Sequence, residues 1–288
     1  MSDLLAQTRD ICRLFEIKPA RSKGQNFLIN EKIYDQIVEA ADLQPTDTVL
    51  EIGPGLGFLT AKLAARVRKV IAVELDDKLA AYLQMGVDAQ DVENVEVINA
   101  DILSFTIGPH LPAAEQRYKI VANLPYNITS IFLRRFLSLA PQPELLVLML
   151  QKEVATRIVA APPEMSILAV SVQYYAEPEI VRTVKAGNFW PEPEVDSAII
   201  KIRLHQAGAA SAAGPGGQDD KKFFQIVRIG FSAKRKMLKN NLAAGLKLGA
   251  PILAKLLTDQ GFSPKVRAED LSVQDWRKLF AALRPFMV

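Results

Sequence analysis

Apolar residues follow two rhythms along this chain. Short runs rich in Val, Ile and Leu alternate with longer stretches in which apolar positions recur every three or four residues. TVLEIG (48–53), VIAVEL (70–75), VEVINAD (95–101), YKIVANL (118–124) and PELLVLMLQ (143–151) predict strands. Between and after them, LTAKLAARV (59–67), DKLAAYLQMG (77–86, ended by its glycine), TSIFLRRFLSLA (129–140) and EVATRIVAA (153–161) predict helices. Strands apolar on both faces, alternating with helices, imply a mostly parallel sheet covered on both sides. VSVQYYAEPEIVRTV (170–184) and DSAIIKIRL (196–204) predict late strands of antiparallel type. Ahead of all these, GQNFL (24–28) reads as a short loop before the helical EKIYDQIVEAA (31–41).

The rhythm fails at HQAGAASAAGPGGQDD (205–220), which has almost nothing to bury and predicts a flexible linker. Beyond it, KKFFQIVRIGFSA, KRKMLKNNLAAGL, APILAKLLTDQG and SVQDWRKLFAALR all carry helical spacing. The expected organisation is an α/β domain over 1–204, a linker over 205–220 and a small helical domain over 221–288.

Composition sharpens this picture in three places. A single cysteine, Cys12, rules out an internal disulfide and suits a reducing compartment. The longest apolar run, LLVLML (145–150), is far short of the ~20 residues that a membrane helix needs. The first residues, MSDLLAQTRDICRLFEI, mix acids and bases, so no signal peptide is expected. A cytoplasmic protein, away from membranes, is the expectation. Charge is uneven: residues 205–288 hold 14 Lys and Arg against six acids, while 1–204 hold 21 against 26. A basic tail suggests a polyanionic partner, against the plainer alternative of a solvated basic face.

Ligands of open parallel sheets sit outside the carboxyl ends of the strands. Those ends here carry Glu51-Ile52-Gly53-Pro54-Gly55-Leu56-Gly57, then Glu74, Asp101 and Asn123. Gly53 and Gly55 let backbone approach a ligand, although a plain tight turn would use them too. A dinucleotide fingerprint would need glycine at Phe58, and no Gly-Lys-Ser/Thr follows for a phosphate loop. Glu74 suits two ribose hydroxyls, and Asp101 suits an adenine amino group. A nucleoside without a pyrophosphate fits these ends, and S-adenosylmethionine fits better than a nicotinamide dinucleotide.

VANLPYNIT (121–129) then acquires a purpose. An aromatic amine is a poor nucleophile because its lone pair is delocalised into the ring. Two acceptors on its two N–H groups would turn that lone pair toward a methyl donor. The Asn123 side-chain oxygen supplies one, and the carbonyl of Leu124 or Pro125 the other. Pro125 stiffens the turn, and Tyr126 offers a face for a base taken out of its stack. Positioning does the work, so no metal is expected. With two histidines only, His110 and His205, the chain offers little general-base chemistry.

GQNFL, EIGPGLG (51–57), NLPYNIT (123–129), LQKEV (150–154), PEVDSAI (193–199), KRKMLKNNL (234–242) and RAEDLS (267–272) together resemble the KsgA family of small-subunit rRNA adenine dimethyltransferases. The resemblance implies a Rossmann-like, S-adenosylmethionine-dependent methyltransferase fold with a small C-terminal helical domain. It implies transfer of two methyls to N6 of each of two adjacent adenosines in a hairpin loop near the 3′ end of the small-subunit rRNA. The implied substrate is a ribosomal precursor particle, and the implied enzyme a monomer with a role in subunit biogenesis. Cofactor contacts are implied at Asn26, Leu28, Gly53, Gly55, Glu74, Asp101 and Asn123, and a second aromatic wall beside the base at Phe189. Lys234, Arg235, Lys236 and Lys239, read on one helix, look like phosphate-positioning groups. The chain departs from the family pattern at Ser22, at Trp190 and in APPEMSILAVS (161–171).

Overall fold

Central strands of a parallel sheet are buried on both faces, and the computed structural model shows where that burial leads. It describes residues 3–19, 25–112, 117–125, 128–205 and 216–287. In chain order the elements are α1 (Leu4–Leu14), β1 (Phe27–Leu28), α2 (Glu31–Ala40), β2 (Thr48–Ile52), α3 (Phe58–Ala64), β3 (Lys69–Glu74), α4 (Asp77–Ala89), β4 (Val95–Asn99), β5 (Lys119–Asn123), α5 (Thr129–Ser138) and β6 (Leu145–Gln151). There follow α6 (Lys152–Ile158), α7 (Ile167–Gln173), β7 (Ala176–Val184), β8 (Phe189–Trp190), β9 (Ser197–Leu204), α8 (Gln218–Gly230), α9 (Leu238–Leu246), α10 (Ala250–Asp259) and α11 (Val273–Leu283).

The chain divides into two compact units. The first takes the described residues of Met1–Phe136, Ala140–Ala155 and Glu179–Leu204; the second takes those of Leu137–Leu139, Thr156–Pro178 and His205–Val288. This boundary differs from the one read in the sequence, because the segment 156–178 joins the helical unit. A seven-stranded sheet runs β4-β3-β2-β5-β6-β9-β7. β2 pairs in parallel with β3 and β5, β3 with β4 and β5 with β6, while β9 returns antiparallel to β6. The strand order therefore reverses at β2, with β3 on one side and β5 on the other. That reversal opens a crevice at the carboxyl ends of β2 and β5, the place where such sheets bind ligands. Val49, Leu50, Val70, Ile71, Ile120, Val121, Leu146 and Val147 are fully buried, so the central strands are fixed from both faces.

Two segments differ from expectation. Residues 170–173, read as strand, finish α7; the Ser166 hydroxyl caps that helix by accepting from the Ala169 N–H at 3.1 Å. Gln173 then donates to the carbonyls of Ile158 and Ala160, which fixes the helix end in place of a longer strand. The second is the linker, whose last residues are ordered: α8 begins at Gln218. Asp220 is buried and its carboxylate accepts from the Tyr174 and Tyr175 hydroxyls and the Gly216 N–H, each at 2.8 Å. Three donors compensate a carboxylate taken out of water. Residues 206–215 of the expected linker lie outside the described residues. In the helical unit Tyr174 stacks on Phe223 at 4.4 Å, and Trp276 is fully buried.

Candidate active site

The loop after β2 owes its shape to three glycines in the left-handed region, Gly53 at φ 65°, Gly55 at 57° and Gly57 at 80°. Side chains rarely tolerate that region, and a Cβ on Gly57 would also meet Leu83 Cδ1 at 2.7 Å. The loop closes on itself through Gly57 N–H to the Pro54 carbonyl, and Gly57 opens α3. Gly53 donates to the Val73 carbonyl at 3.0 Å, which ties the loop to β3.

β3 ends in Glu74, 6% exposed. Its two carboxylate oxygens accept from the Gly55 N–H at 3.1 Å and the Asp76 N–H at 3.0 Å. Burial raises its pKa, while those backbone donors work in the opposite direction. Asn123 closes β5, half-buried, and its Nδ2 donates to the Asn26 carbonyl at 3.4 Å. That bond uses the amide nitrogen and leaves Oδ1 as the acceptor. Leu124 is buried and its N–H donates to the Met149 carbonyl at 3.3 Å. The Pro125 carbonyl accepts from the Ile128 N–H at 3.3 Å, closing the turn.

Asn26, Leu28, Gly53, Gly55, Glu74, Asn123 and Pro125 all line one cavity at the switch crevice. Each of them is a residue that the sequence singles out. Asp101 stands elsewhere: it is exposed, does not line this cavity, and its Oδ1 accepts from the Leu103 N–H at 2.8 Å. Tyr126 lies outside the described residues.

Phe189, which the resemblance places beside the base, is 3% exposed and packs in the hydrophobic core with Leu28, Tyr34 and Ile37. The cause is strand alternation: β8 pairs with β1, so Phe189 faces Leu28 and the core while Trp190 pairs with Phe27. Lys234, Arg235 and Lys236 do not share a helix with Lys239. They form an exposed turn after α8, and α9 starts only at Leu238, leaving Lys239 half-buried in its first turn. On α5, Arg135 donates its guanidinium N–H groups to the carbonyls of Leu103 and Phe105 at 2.7 and 2.8 Å.

The cavity also contains a strand-end residue to which the sequence reading gave no role. Glu51, 1% exposed, lines it from the end of β2. Neither carboxylate oxygen finds a full hydrogen-bond partner, although the Thr60 hydroxyl approaches and favours the ionised form. Burial pushes its pKa to about 8, and the nearby Glu74 adds to the rise. The signal was present as one acid inside an otherwise apolar strand, TVLEI. Among the described residues the cavity lining holds three carboxylates, Glu51, Glu74 and Asp76, and no lysine or arginine. Such a site suits a cationic nucleoside, and S-adenosylmethionine, with its sulfonium and ammonium, meets that demand.

Comparison with known proteins gives the same direction. A ribosomal RNA small subunit methyltransferase A from Dehalococcoides mccartyi (strain CBDB1) is 44% identical over 276 residues, covering 96% of this chain and 92% of that protein. One of the same description from Pelotomaculum thermopropionicum is 40% identical over 285 residues, covering 95% and 94%. Among solved structures, a dimethyladenosine transferase from Plasmodium falciparum superimposes with a TM-score of 0.77 at 26% identity, covering 89% of this chain and 97% of that one. The 23S rRNA methyltransferase ErmE superimposes with a TM-score of 0.69 at 29% identity, covering 90% and 100%. The model of the ribosomal RNA adenine dimethylase family matches residues 18–284, and the chain belongs to that family.

Proposed function

We propose that this enzyme dimethylates N6 of two adjacent adenosines in a hairpin loop near the 3′ end of the small-subunit rRNA. The observation that carries the reading is the meeting of the glycine loop, Glu74 and the Asn123-Leu124-Pro125 turn around one crevice. S-adenosylmethionine is the methyl donor, and when bound it supplies the activated methyl group. Glu74, held by two backbone N–H groups, presents its carboxylate to the ribose hydroxyls. Gly53, Gly55, Asn26 and Leu28 bring backbone and apolar surface against the same ligand. Asp101, one strand further on, is assigned to the adenine amino group at the outer end of the site.

The Asn123-Pro125 turn grips the target amine. Asn123 Oδ1 accepts from one N–H of the base. The Pro125 carbonyl is engaged by Ile128, so the Leu124 carbonyl is the better second acceptor. The lone pair then points at the methyl donor, and the methylated amine loses its proton without a strong base. Tyr126 is assigned the stacking face for the base. The exposed turn Lys234-Arg235-Lys236, with Lys239 beside it, takes phosphates and orients the RNA without reading its sequence. The substrate in this reading is a ribosomal precursor particle, met by a monomer in the cytoplasm.

The likeness to ErmE supports a second reading, large-subunit rRNA as the target. One experiment separates them. Labelled methyl from S-adenosylmethionine is offered to unmodified small-subunit particles, large-subunit rRNA and DNA, and the nucleosides are digested and identified. Dimethyladenosine from the small-subunit particle alone is the expected result. Label in large-subunit rRNA alone would overturn the small-subunit assignment.

A further inference from the structure

A second cavity opens beside the cofactor crevice, and its charge is the reverse. The crevice lining holds three carboxylates and, among the described residues, no lysine or arginine. The second cavity, about 790 Å³ and open to solvent, gathers Arg9, Arg13, Lys18 and Lys78 against two acids, Glu16 and Asp76. Asp76 lines both cavities. Its Oδ1 accepts from the Lys78 and Leu79 N–H groups at 3.1 and 3.4 Å, so part of its charge is engaged at the start of α4. Arg9 and Arg13 stand four residues apart on α1 and share a face. Arg13 pairs with Asp10 at 2.9 Å, but both side chains are largely exposed, so the pair exchanges easily for another anion. The Lys78 ammonium donates to the Glu16 carbonyl at 3.0 Å, which fixes its place in the lining.

Trp190 supplies the aromatic surface of this cavity. Its half-buried indole packs against a core cluster that includes Cys12, Ile17 and Phe27. The Arg9 guanidinium stands over the ring, 5.9 Å from its centroid. That is the outer limit of a cation–π contact, about 6 Å, so an exposed, flexible side chain rests on the ring and can lift from it. A solvated basic face needs no such platform. An aromatic ring with a guanidinium above it and cations around it is the combination that stacks an RNA base and holds its phosphates. Trp190 is also a point at which the chain departs from the family pattern, so the platform belongs to this chain rather than to the family at large. Trp190 pairs with Phe27, which lines the cofactor crevice, so platform and crevice are neighbours.

We propose that the second cavity binds a nucleotide of the substrate RNA outside the methylated pair. Its base stacks on the Trp190 indole beneath Arg9, and its flanking phosphates meet Arg13, Lys18 and Lys78. The proposal rests on rRNA as the substrate, and not on which rRNA. A crevice that works on one base at a time needs the neighbouring strand held close by, and a basic cavity that shares Asp76 with the crevice is placed to hold it. The stacking is indifferent to the identity of the base, because every base has a π-face. These contacts are the same before and during methyl transfer, so they act on KM and leave kcat alone.

Two measurements test this. The chain has two tryptophans, and Trp276 is fully buried, so quenching by a stacked base reports Trp190. Hexaadenylate, adenosine 5′-monophosphate and inorganic phosphate are each titrated into the full chain. Hexaadenylate is expected to quench saturably, the mononucleotide only at roughly tenfold higher concentration or more, having fewer phosphates to offer, and phosphate not at all. The second measurement is methyl-transfer kinetics on unmodified small-subunit particles. Trp190→Ala should abolish the quenching and raise KM about tenfold at unchanged kcat. Trp190→Phe keeps a stacking face and should hold KM within about threefold of the parent. Arg9→Gln combined with Arg13→Gln should lower the slope of log hexaadenylate affinity against log salt by about 1.4, at about 0.7 for each phosphate no longer neutralised. S-adenosylhomocysteine should bind every variant as it binds the parent, which certifies the fold and the crevice.

An unchanged KM in Trp190→Ala, or quenching that survives that substitution, would overturn the proposal. A fall in kcat at constant KM would place Trp190 in the chemistry, and loss of S-adenosylhomocysteine binding would make it a support of the crevice; either result overturns it as well. A mononucleotide that quenches as tightly as hexaadenylate would assign the cavity to a free nucleotide and not to the RNA. Particles that accept no methyl from the parent protein would refute the small-subunit reading alone, and the hexaadenylate titration would still decide this one.

Discussion

Glu51→Gln should make the ligand-free protein more stable, by an amount that depends on pH. The carboxyl is 1% exposed and its pKa is raised by burial from 4.5 to about 8. The folded state therefore holds this proton more tightly than the unfolded chain does. Stability from the group is fully present below pH 4.5 and is lost as pH rises toward 8. At 1.36 kcal/mol per pH unit, the loss at pH 7 amounts to about 3 kcal/mol, and it levels off near about 5 kcal/mol above pH 8. At pH 5 it is under about 1 kcal/mol by the same relation. Glutamine has the same shape and no proton to lose, so this part of the pH dependence vanishes in the variant. Between pH 5 and pH 8 the variant should gain about 3–4 kcal/mol on the parent. For a chain of this size about 2 °C accompanies each kcal/mol, or roughly 7 °C in all. Thermal unfolding of both proteins without cofactor, at pH 5, 6, 7 and 8, reads this directly. A difference in Tm that stays flat within about 2 °C across the series would show that the folded state does not retain the proton, and the argument from missing donors would fail.

Three further outcomes are expected. Asn123→Ala should cut methyl transfer by about a hundredfold or more, the usual effect of losing one preorganised hydrogen-bonding group; S-adenosylhomocysteine binding should change only a few-fold, and full transfer activity would disprove the grip on the amine. Replacing Lys234, Arg235 and Lys236 by alanine should weaken rRNA binding and lower the slope of log affinity against log salt by about 2, each phosphate no longer neutralised accounting for about 0.7–0.9; an unchanged slope would make the turn a solvated surface. Asp220→Ala should destabilise the helical unit by about 3 kcal/mol or more, because two buried tyrosine hydroxyls and the Gly216 N–H lose their acceptor at about 1–3 kcal/mol each; urea unfolding that shows under about 1 kcal/mol would mean that these donors find other partners.

The parts of the site legible in the sequence were those set by backbone. Glycines in a turn after an apolar strand announce a left-handed loop, and Gly53, Gly55 and Gly57 adopt one. Chemistry at strand ends is also legible, because parallel sheets put their ligands there, and Glu74 and Asn123 line the cavity. Side-chain direction was harder to read. Phe189 needed the β1–β8 pairing to decide which face it shows, and two-residue strands leave no alternation to count. The basic cluster has helical spacing, yet α9 begins at Leu238, where the Leu238 N–H is taken by the Val266 carbonyl from a distant segment. Asp220 looks like the polar end of a linker until Tyr174 and Tyr175 close on it, 46 and 45 residues away in sequence. Glu51, at the same strand end, had no role assigned for a related reason. An acid beside a glycine loop looks exposed on paper, and only packing by Tyr34, Thr60 and Glu74 makes it costly.

That cost has a consequence for the liganded protein. Nothing in the sheet requires an acid at position 51, since its neighbours along β2 are apolar or hydroxylic and its strand partners across the sheet are Ala72 and Val121. A residue that weakens the free fold has to be offset in the occupied one, and a ligand that binds only the folded state stabilises it by RT ln(1 + [L]/Kd). A ligand that brings an ammonium into this cavity favours the ionised form of Glu51, so Kd falls as pH rises from 6 to 8, and the stabilisation by a fixed excess of S-adenosylhomocysteine grows by about 2 kcal/mol over that span. In the melting experiment this is a ligand-induced Tm shift larger at pH 8 than at pH 6 by about 4 °C. In Glu51→Gln the shift should be smaller and the same at both pH values. A parent protein whose ligand-induced shift is independent of pH would separate the two roles: Glu51 would then remain a destabilising acid in the free protein but contribute nothing to holding the cofactor.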